Sequence, residues 1–253
     1  MKEFRLGLQS YYKAWTFVKA HQLRSVFWWS AAGYLIILLF SLWGVWQINQ
    51  QAIEWVASLS WVQSTFSWAS KWPWLSQILR FLFFLSTGIL FLSIFKYIYL
   101  TLASPLYAYI SERTASSYSG QTFAFSLAQF LSDILRGMRL SLINLFRQTF
   151  FSVLFFFLSL IPVVGVFFSL ILILLDSYYY GFSMLDYNCE RDRFSVSTAR
   201  TFIRQHRGLA IGNGLPFYFS IMIPVLGVCI MAPLSCIAAT LSYEQLKASH
   251  GKR

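Results

Sequence analysis

Charged residues are scarce in this chain of 253 residues, at 11% of the total. Soluble globular domains carry about a quarter charged residues, whereas 57% of the residues here are hydrophobic. The long uncharged runs exclude a soluble protein and indicate an integral membrane protein. Strands of a membrane barrel would alternate apolar and polar residues over about ten positions. The runs here are continuous and longer, so they predict membrane helices, which satisfy their own backbone hydrogen bonds.

Cysteine and histidine are also rare, with 3 residues of each. Cys189, Cys229 and Cys236 form no CxxC pair and have no metal-ligand spacing. We therefore expect no disulfide and no metal site. The sequence contains no HExxH, no GxSxG and no phosphate-binding glycine loop. These absences predict a protein that is not an enzyme, with no catalytic residues and no cofactor.

Basic residues produce a formal net charge of +11, and their distribution indicates topology. Lys71 is the basic residue in the segment between the first two apolar runs. Cytoplasmic segments of membrane proteins are rich in Lys and Arg, so we expect both termini in the cytoplasm. The same charges suit anionic membrane lipids, and their placement does not indicate nucleic acid. The basic stretches contain Lys2, Arg5, Lys13, Lys19 and Arg24; Arg113, Arg136, Arg139 and Arg147; Arg191, Arg193, Arg200, Arg204 and Arg207; and Lys247, Lys252 and Arg253.

Two apolar segments, residues 26–48 and 78–109, are long enough to span a bilayer, which takes about 20 residues. Residues 1–24 carry apolar side chains on one helical face and predict an amphipathic helix in the interface. A similar pattern at residues 123–146 predicts a second surface helix. Pro105 is expected to kink the long second span.

Two later segments repeat one motif, IPVVGV at 161–166 and IPVLGV at 223–228. Proline removes the hydrogen bond that would continue a helix. Fourteen uncharged residues (148–161) precede the first proline, and ten (166–175) separate the glycine from Asp176. Neither arm is long enough to cross a bilayer at about 1.5 Å per residue.

Basic stretches lie on both sides of each motif, so both ends of each segment are expected on the cytoplasmic side. This predicts two re-entrant helical hairpins, at residues 148–187 and 208–244. The alternative is a pair of closely spaced full spans, which stays open for the longer second copy. The hairpin tips are Pro162, Gly165, Pro224 and Gly227.

Several motifs occur in an order that resembles the CysZ-type sulfate permeases of bacteria, which are related to the etoposide-induced membrane proteins of eukaryotes. They are "ASPLYAYISERT", "LIPVVGV", "LDYNCERDRFS", "RQHRGLAIGNG" and "MIPVLGVCIMAPLSCIAATLSYE". The resemblance covers essentially the whole chain. It implies two transmembrane helices with two partly inserted hairpins, oligomers in the membrane, and sulfate uptake for cysteine synthesis.

The resemblance also implies an anion site, a Gly-Leu-Arg-type motif at the start of the first span. This chain has Gln22-Leu23-Arg24-Ser25 there, so Leu23 and Arg24 match while the glycine is absent. Arg24 is also a candidate anion-binding residue without the resemblance, because a helix N-terminus and a guanidinium both attract oxyanions. His21 and Ser25 would be additional donors. The alternative is an arginine that binds lipid phosphate.

Four further ionisable residues are pore or buried-charge candidates. Lys96 and Asp176 are the groups expected to reach membrane depth, where charges are usually functional; alternatively, each extends to the headgroups. Glu112 and Arg113 fit a cytoplasmic vestibule, or else a solvated salt bridge. The run "NCERDRF" at 188–194 is interpreted as a solvated turn. Asp186 and Tyr187 match a family motif and are expected to fix the hairpin base.

Together these features predict an all-α integral membrane protein with one membrane domain over residues 1–253. Its predicted function is a permease or channel for sulfate or a related oxyanion in the bacterial inner membrane. A homo-oligomer is expected. The alternative is a non-transporting membrane scaffold or tether, or a lipid-interacting protein.

Overall fold

The computed structural model of the protein is helical along most of the chain that it describes. It is 93% helical, with no strand within the described residues, which confirms the predicted all-α class. The structure describes residues 2–21, 23–60, 102–120, 127–159, 165–221 and 226–250, together with Ile161, Ile223 and scattered positions between 64 and 99.

Three of the helices contain segments long and apolar enough to cross a membrane. These segments are Arg24–Ala52, Gly165–Arg191 and Gly227–Ser249. The helices are α1 (Lys2–Ala20), α2 (Arg24–Ser58), α3 (Ser104–Ser119), α4 (Leu127–Ser159), α5 (Gly165–Arg191), α6 (Val196–Gln205), α7 (Arg207–Ser220) and α8 (Leu226–His250).

The chain divides into two compact units, of which one is Leu35–Tyr99. Within this unit the Thr87 hydroxyl donates to the side-chain oxygen of Asn49 at 2.9 Å. Asn49 is 3% exposed, so this hydrogen bond satisfies a buried amide. Of the 32 residues in the predicted span at 78–109, 15 lie outside the described residues. Its described positions as far as Tyr99 are helical.

The other unit, Met1–Tyr34 and Leu100–Arg253, is built around α8. In the most apolar stretch of α8, 89% of the residues are buried. Helices α1, α3, α5 and α7 all pack against it. Small side chains allow this close packing, which drives helix association where lipid replaces water. The small buried residues of α8 include Ala232, Ser235, Cys236, Ala238, Ala239 and Ser242.

Helices α5 and α7 approach so closely that two positions require glycine. A Cβ atom on Gly181 of α5 would overlap the carbonyl group of Ala210 in α7. A Cβ atom on Gly214 of α7 would overlap the carbonyl group of Ser177 in α5. Each glycine therefore lets the backbone of the opposite helix occupy the space of a side chain.

Helix α1 packs on α7 and α8, so one face of the predicted interfacial helix is covered by protein. Gly7, Ser10 and Ala14 line that buried face. The Tyr11 hydroxyl donates to the carbonyl oxygen of Asn213. Burial raises the pKa of the Tyr11 phenol, so the hydroxyl stays protonated and remains a donor.

Pro105 begins a helix instead of kinking one. Ala103 is the N-cap of α3, and Pro105 lies in the first turn. A backbone N–H at that position has no intrahelical acceptor, so proline costs the helix no hydrogen bond there. Helix α3 then continues to Ser119, well beyond the predicted end of the span at residue 109.

Helices α4 and α5 form an antiparallel hairpin. The rings of Phe155 and Phe168 stack with their centroids 5.9 Å apart. The side-chain amide of Gln148 donates to Asp176 further down the hairpin. At the turn, the N–H of Gly165 donates to the carbonyl oxygen of Ile161 at 2.8 Å.

The first arm of this hairpin is longer than the sequence predicted. Helix α4 is continuous from Leu127 to Ser159, so the predicted surface helix at 123–146 and the first arm share one helix. The charged positions suggested a solvated surface. Arg136 is instead 14% exposed and pairs with Asp186 on α5. Its charge therefore lies within the helix–helix interface.

Helices α7 and α8 form a second hairpin that closes with the same hydrogen bond as the first. The N–H of Gly227 donates to the carbonyl oxygen of Ile223 at 2.9 Å. The two motif prolines, Pro162 and Pro224, lie outside the described residues.

The returning arm of the first hairpin is also longer than predicted. Helix α5 has 27 residues and continues past Asp176, which bonds within the hairpin and does not end the arm. The predicted length of ten residues for this arm is therefore wrong.

Candidate functional site

The predicted anion site lies at the junction of α1 and α2. Leu23 is 3% exposed, and its N–H donates to the carbonyl oxygen of Val18 at 3.2 Å. Val26, in the first turn of α2, is 5% exposed. These two apolar side chains anchor the junction and fix the direction in which α2 starts.

Arg24 is the first residue of α2, and its side chain is exposed, as is that of Ser25. Within the described residues, no acidic side chain lies within salt-bridge distance of Arg24. The positive end of the helix dipole adds to the guanidinium charge. The arrangement can bind an oxyanion at an open surface position.

His21 is directed toward α1. Its ring stacks on Phe17 with the centroids 3.9 Å apart. Its Nδ1 lies 3.1 Å from the carbonyl oxygen of Phe17. Gln22 lies outside the described residues. The structure thus places Leu23, Arg24 and Ser25 at one helix start, with His21 held by the preceding helix.

The buried-charge candidates lie in different parts of the chain. Asp176 accepts a hydrogen bond from Gln148 across the first hairpin. Lys96 lies outside the described residues, so its expected position at membrane depth stays a prediction. On α3, Glu112 is half-buried and Arg113 is exposed. The preceding residue, Ser111, is fully buried and joins a network that the sequence did not indicate.

The first part of this network clamps α4 to the end of α5. Both terminal nitrogens of Arg136 donate to the carboxylate of Asp186 at 2.9 Å. One of them also donates to Glu190 at 3.1 Å. Burial lowers the pKa of Arg136, but the two carboxylates outweigh it and raise that pKa above its usual value. Arg136 therefore stays charged and holds two like charges one turn apart.

The second part joins α5 to α3 and α8. The Arg191 side chain is 1% exposed and pairs with Glu244 of α8. It also donates to the hydroxyl of Ser111 at 3.1 Å and to the side-chain oxygen of Asn188 at 3.0 Å. The Ser111 hydroxyl donates to the same oxygen of Asn188 at 3.1 Å. Three helices thus meet at one buried guanidinium.

The third part lies at the outer edge of the network. Asp192 accepts hydrogen bonds from the Tyr243 hydroxyl at 2.8 Å and from Lys247 at 2.6 Å. The run at 188–194 is therefore not the solvated turn that the sequence predicted. Asn188, Glu190 and Arg191 are all buried.

The acids of the network outnumber its cations by four to three, so it is suited to joining helices and not to capturing an anion. Its acidic side chains compensate its cations within hydrogen-bonding distance. Removing one partner of such a buried pair leaves an uncompensated charge at high cost. The cations are Arg136, Arg191 and Lys247, and the acids are Asp186, Glu190, Asp192 and Glu244.

A depression of about 380 Å³ lies beside α6. None of its lining side chains carries a charge, so it is a poor match for an oxyanion. The lining residues are Phe194, Ser197, Thr198, Thr201, Phe202 and Gln205.

Sequence reasoning identified Asp186 but not its partner Arg136, nor Ser111 and Glu244. One signal was available, since Asp186 and Glu190 are four residues apart and share a helix face. Two acids on one face of an apolar helix predict a compensating cation on a neighbouring helix. Which cation fills that role depends on how the hairpin folds.

A comparison with protein families matches residues 10–232 to the family described as Sulfate transporter CysZ/Etoposide-induced protein 2.4. The chain belongs to this family. The match confirms the resemblance that the order of its motifs indicated, and it fits a multi-pass membrane protein of transporter type. A search of curated proteins finds no match.

Proposed function

We propose that this protein is a membrane permease or channel for sulfate or a related oxyanion, which supplies sulfur for cysteine synthesis. The family match over residues 10–232 carries this proposal. Two features support it. Basic residues outnumber acidic ones by 20 to 9, which favours an anionic solute. The exposed guanidinium of Arg24 at a helix start also supplies oxyanion chemistry.

The proposed topology has two spanning helices, two re-entrant hairpins and both termini in the cytoplasm of a bacterial cell. The equivalent hydrogen bonds of Gly165 and Gly227 support a shared hairpin design. The burial of α8 supports it further, because irregular backbone at membrane depth is tolerated where protein surrounds it.

The proposed assembly is a homo-oligomer. In α2 only 17% of the most apolar stretch is buried within the chain. Large apolar side chains such as Trp28, Ile36 and Phe40 are at least two-thirds exposed. Lipid tails or a second copy of the chain would cover this surface.

The test of the proposed function is uptake of radiolabelled sulfate into proteoliposomes. We expect saturable uptake that unlabelled selenate inhibits. The Arg24→Ala variant should lose about tenfold or more, because a charge-assisted hydrogen bond to the anion is removed. Arg5→Ala is the matched control, since Arg5 is an exposed arginine on the neighbouring helix α1. It should transport like the unmodified protein.

A folded protein that gives no sulfate flux would contradict the permease proposal. The second candidate, a membrane scaffold, would then be favoured. Its specific support is the buried network, which joins helices and pairs each of its cations with an acid.

A further inference from the structure

Three arginines from two helices lie near Tyr178 of α5. Arg200 and Arg204 are four residues apart on α6, so they lie on the same face of that helix. Arg147 lies on α4, next to Gln148, whose side chain bonds to Asp176 of α5. Both α4 and α6 pack against α5. All three guanidinium groups are near enough to interact electrostatically with the hydroxyl of Tyr178.

This cluster differs from the buried network because no acid of the described residues compensates it. Within the described residues, none of the three arginines has an acidic side chain within salt-bridge distance. The Nη2 atom of Arg200 is buried and has no hydrogen-bond partner there. Asp176, the acid two positions before Tyr178, is engaged by Gln148. An anion bound among these three cations would offset their like charges.

Neutral donors are available beside the guanidinium groups. The half-buried phenols of Tyr178 and Tyr179 lie in contact, with their ring centroids 5.4 Å apart. Arg147 and Arg200 also interact electrostatically with Tyr179. A phenol donates one hydrogen bond, and each guanidinium presents a fork that matches two oxygens of a tetrahedral anion.

The cluster is accessible from the surface of the chain. The side chains of Arg147 and Arg204 are exposed. Phe146 and Phe150, which flank Arg147 along α4, are 73% and 66% exposed. Exposed aromatic side chains beside arginines suit the boundary between lipid tails and headgroups.

We propose that Arg147, Arg200 and Arg204 form a binding site for one tetrahedral oxyanion, a phosphate or sulfate group, with Tyr178 and Tyr179 as additional donors. The group is carried either by an anionic phospholipid or by a free ion. The site is separate from Arg24 and does not depend on transport, so it can fail or stand independently of the proposed function.

The test uses the full-length protein, purified in an uncharged detergent, with the Arg24→Ala substitution in every sample. One arm titrates sodium sulfate and sodium phosphate by calorimetry. The other arm adds phosphatidylglycerol and counts retained lipid by native mass spectrometry, with phosphatidylcholine as the reference lipid. Arg200→Gln and Arg204→Gln are compared with Arg139→Gln, a control at an exposed arginine on the same helix as Arg147.

We expect Arg200→Gln to weaken binding of one probe about tenfold or more, because it removes a charge-assisted interaction. Arg139→Gln should leave binding unchanged. Loss in the sulfate arm identifies a free ion, and loss in the phosphatidylglycerol arm identifies a lipid headgroup. Without a ligand, Arg200→Gln should melt at the same temperature or higher, because repulsion is relieved. Equal binding of every probe by Arg200→Gln and Arg139→Gln would overturn the proposal.

Discussion

The two hairpins close with the same hydrogen bond but differ in their surroundings. In each, the glycine N–H of the motif donates to the isoleucine carbonyl four residues earlier, at 2.8 Å in the first and 2.9 Å in the second. In the helix after the first motif, 28% of the most apolar stretch is buried, against 89% after the second. The same local motif therefore serves an outer hairpin and a central one.

The composition of each returning helix accounts for this difference. The first part of α5 exposes large apolar residues, including Val166, Phe167 and Leu170. The corresponding part of α8 is rich in alanine, serine and cysteine, which let other helices approach. The motif sets the turn, and the size of the following side chains decides whether lipid or protein surrounds the helix.

The largest expected effect comes from breaking the contact between the bases of the two hairpins. Arg191 ends α5, and its partner Glu244 lies on α8. We expect Arg191→Ala to lower the free energy of unfolding by about 3–5 kcal/mol, because Glu244 keeps a buried, unpaired charge. Denaturant unfolding in detergent micelles, followed by circular dichroism, measures this loss.

Two further variants test the reason for that loss. Arg139→Ala should change stability by less than about 0.5 kcal/mol, since Arg139 is exposed. Arg191→Met combined with Glu244→Leu should recover part of the stability, because no charge is left unpaired. A double variant as unstable as Arg191→Ala would show that the unpaired charge is not the cause.

A smaller effect tests the difference in burial directly. Ala238 of α8 is 0% exposed, whereas Val166 of α5 is 71% exposed. Ala238→Leu should cost about 1–3 kcal/mol, because the packed centre has no room for a larger side chain. Val166→Leu should change stability by less than about 0.5 kcal/mol. Thermal unfolding compares the two, and equal shifts would contradict the central position of α8.

The sequence predicted the features that depend on local chemistry. The all-α class, the family and the presence of two turns followed from apolar runs and from the position of proline and glycine. The same reasoning could not find the partner of Arg136, because its charge predicts a solvated face unless the position of Asp186 is known. The length of the returning arm of the first hairpin was predicted wrongly for a related reason. Asp176 was taken as the end of that arm because its partner Gln148 was not known.

The candidate site was predicted only where its residues are neighbours in the chain. Leu23, Arg24 and Ser25 lie together because one helix start contains all three. The buried network instead combines Ser111, Arg136, Arg191 and Glu244 from four helices. Contacts between distant residues depend on how helices pack, and a single sequence does not specify that packing.

The central claim is that both motifs turn inside the membrane, and labelling at the two tips tests it most directly. Ile161 and Ile223 are 46% and 59% exposed in the chain, so protein alone would not shield a cysteine there. The native Cys189, Cys229 and Cys236 are buried and give a low background. We would treat right-side-out and inverted vesicles of Ile161→Cys and Ile223→Cys with a membrane-impermeant maleimide.

We predict that neither tip is labelled from either side of the membrane, whereas both react after the membrane is dissolved in detergent. Ser197→Cys, at an exposed position on α6, should be labelled from the cytoplasmic side only. Labelling of Ile161→Cys or Ile223→Cys from the outer side would mean that the corresponding helices cross the bilayer completely. That result would contradict the re-entrant hairpin.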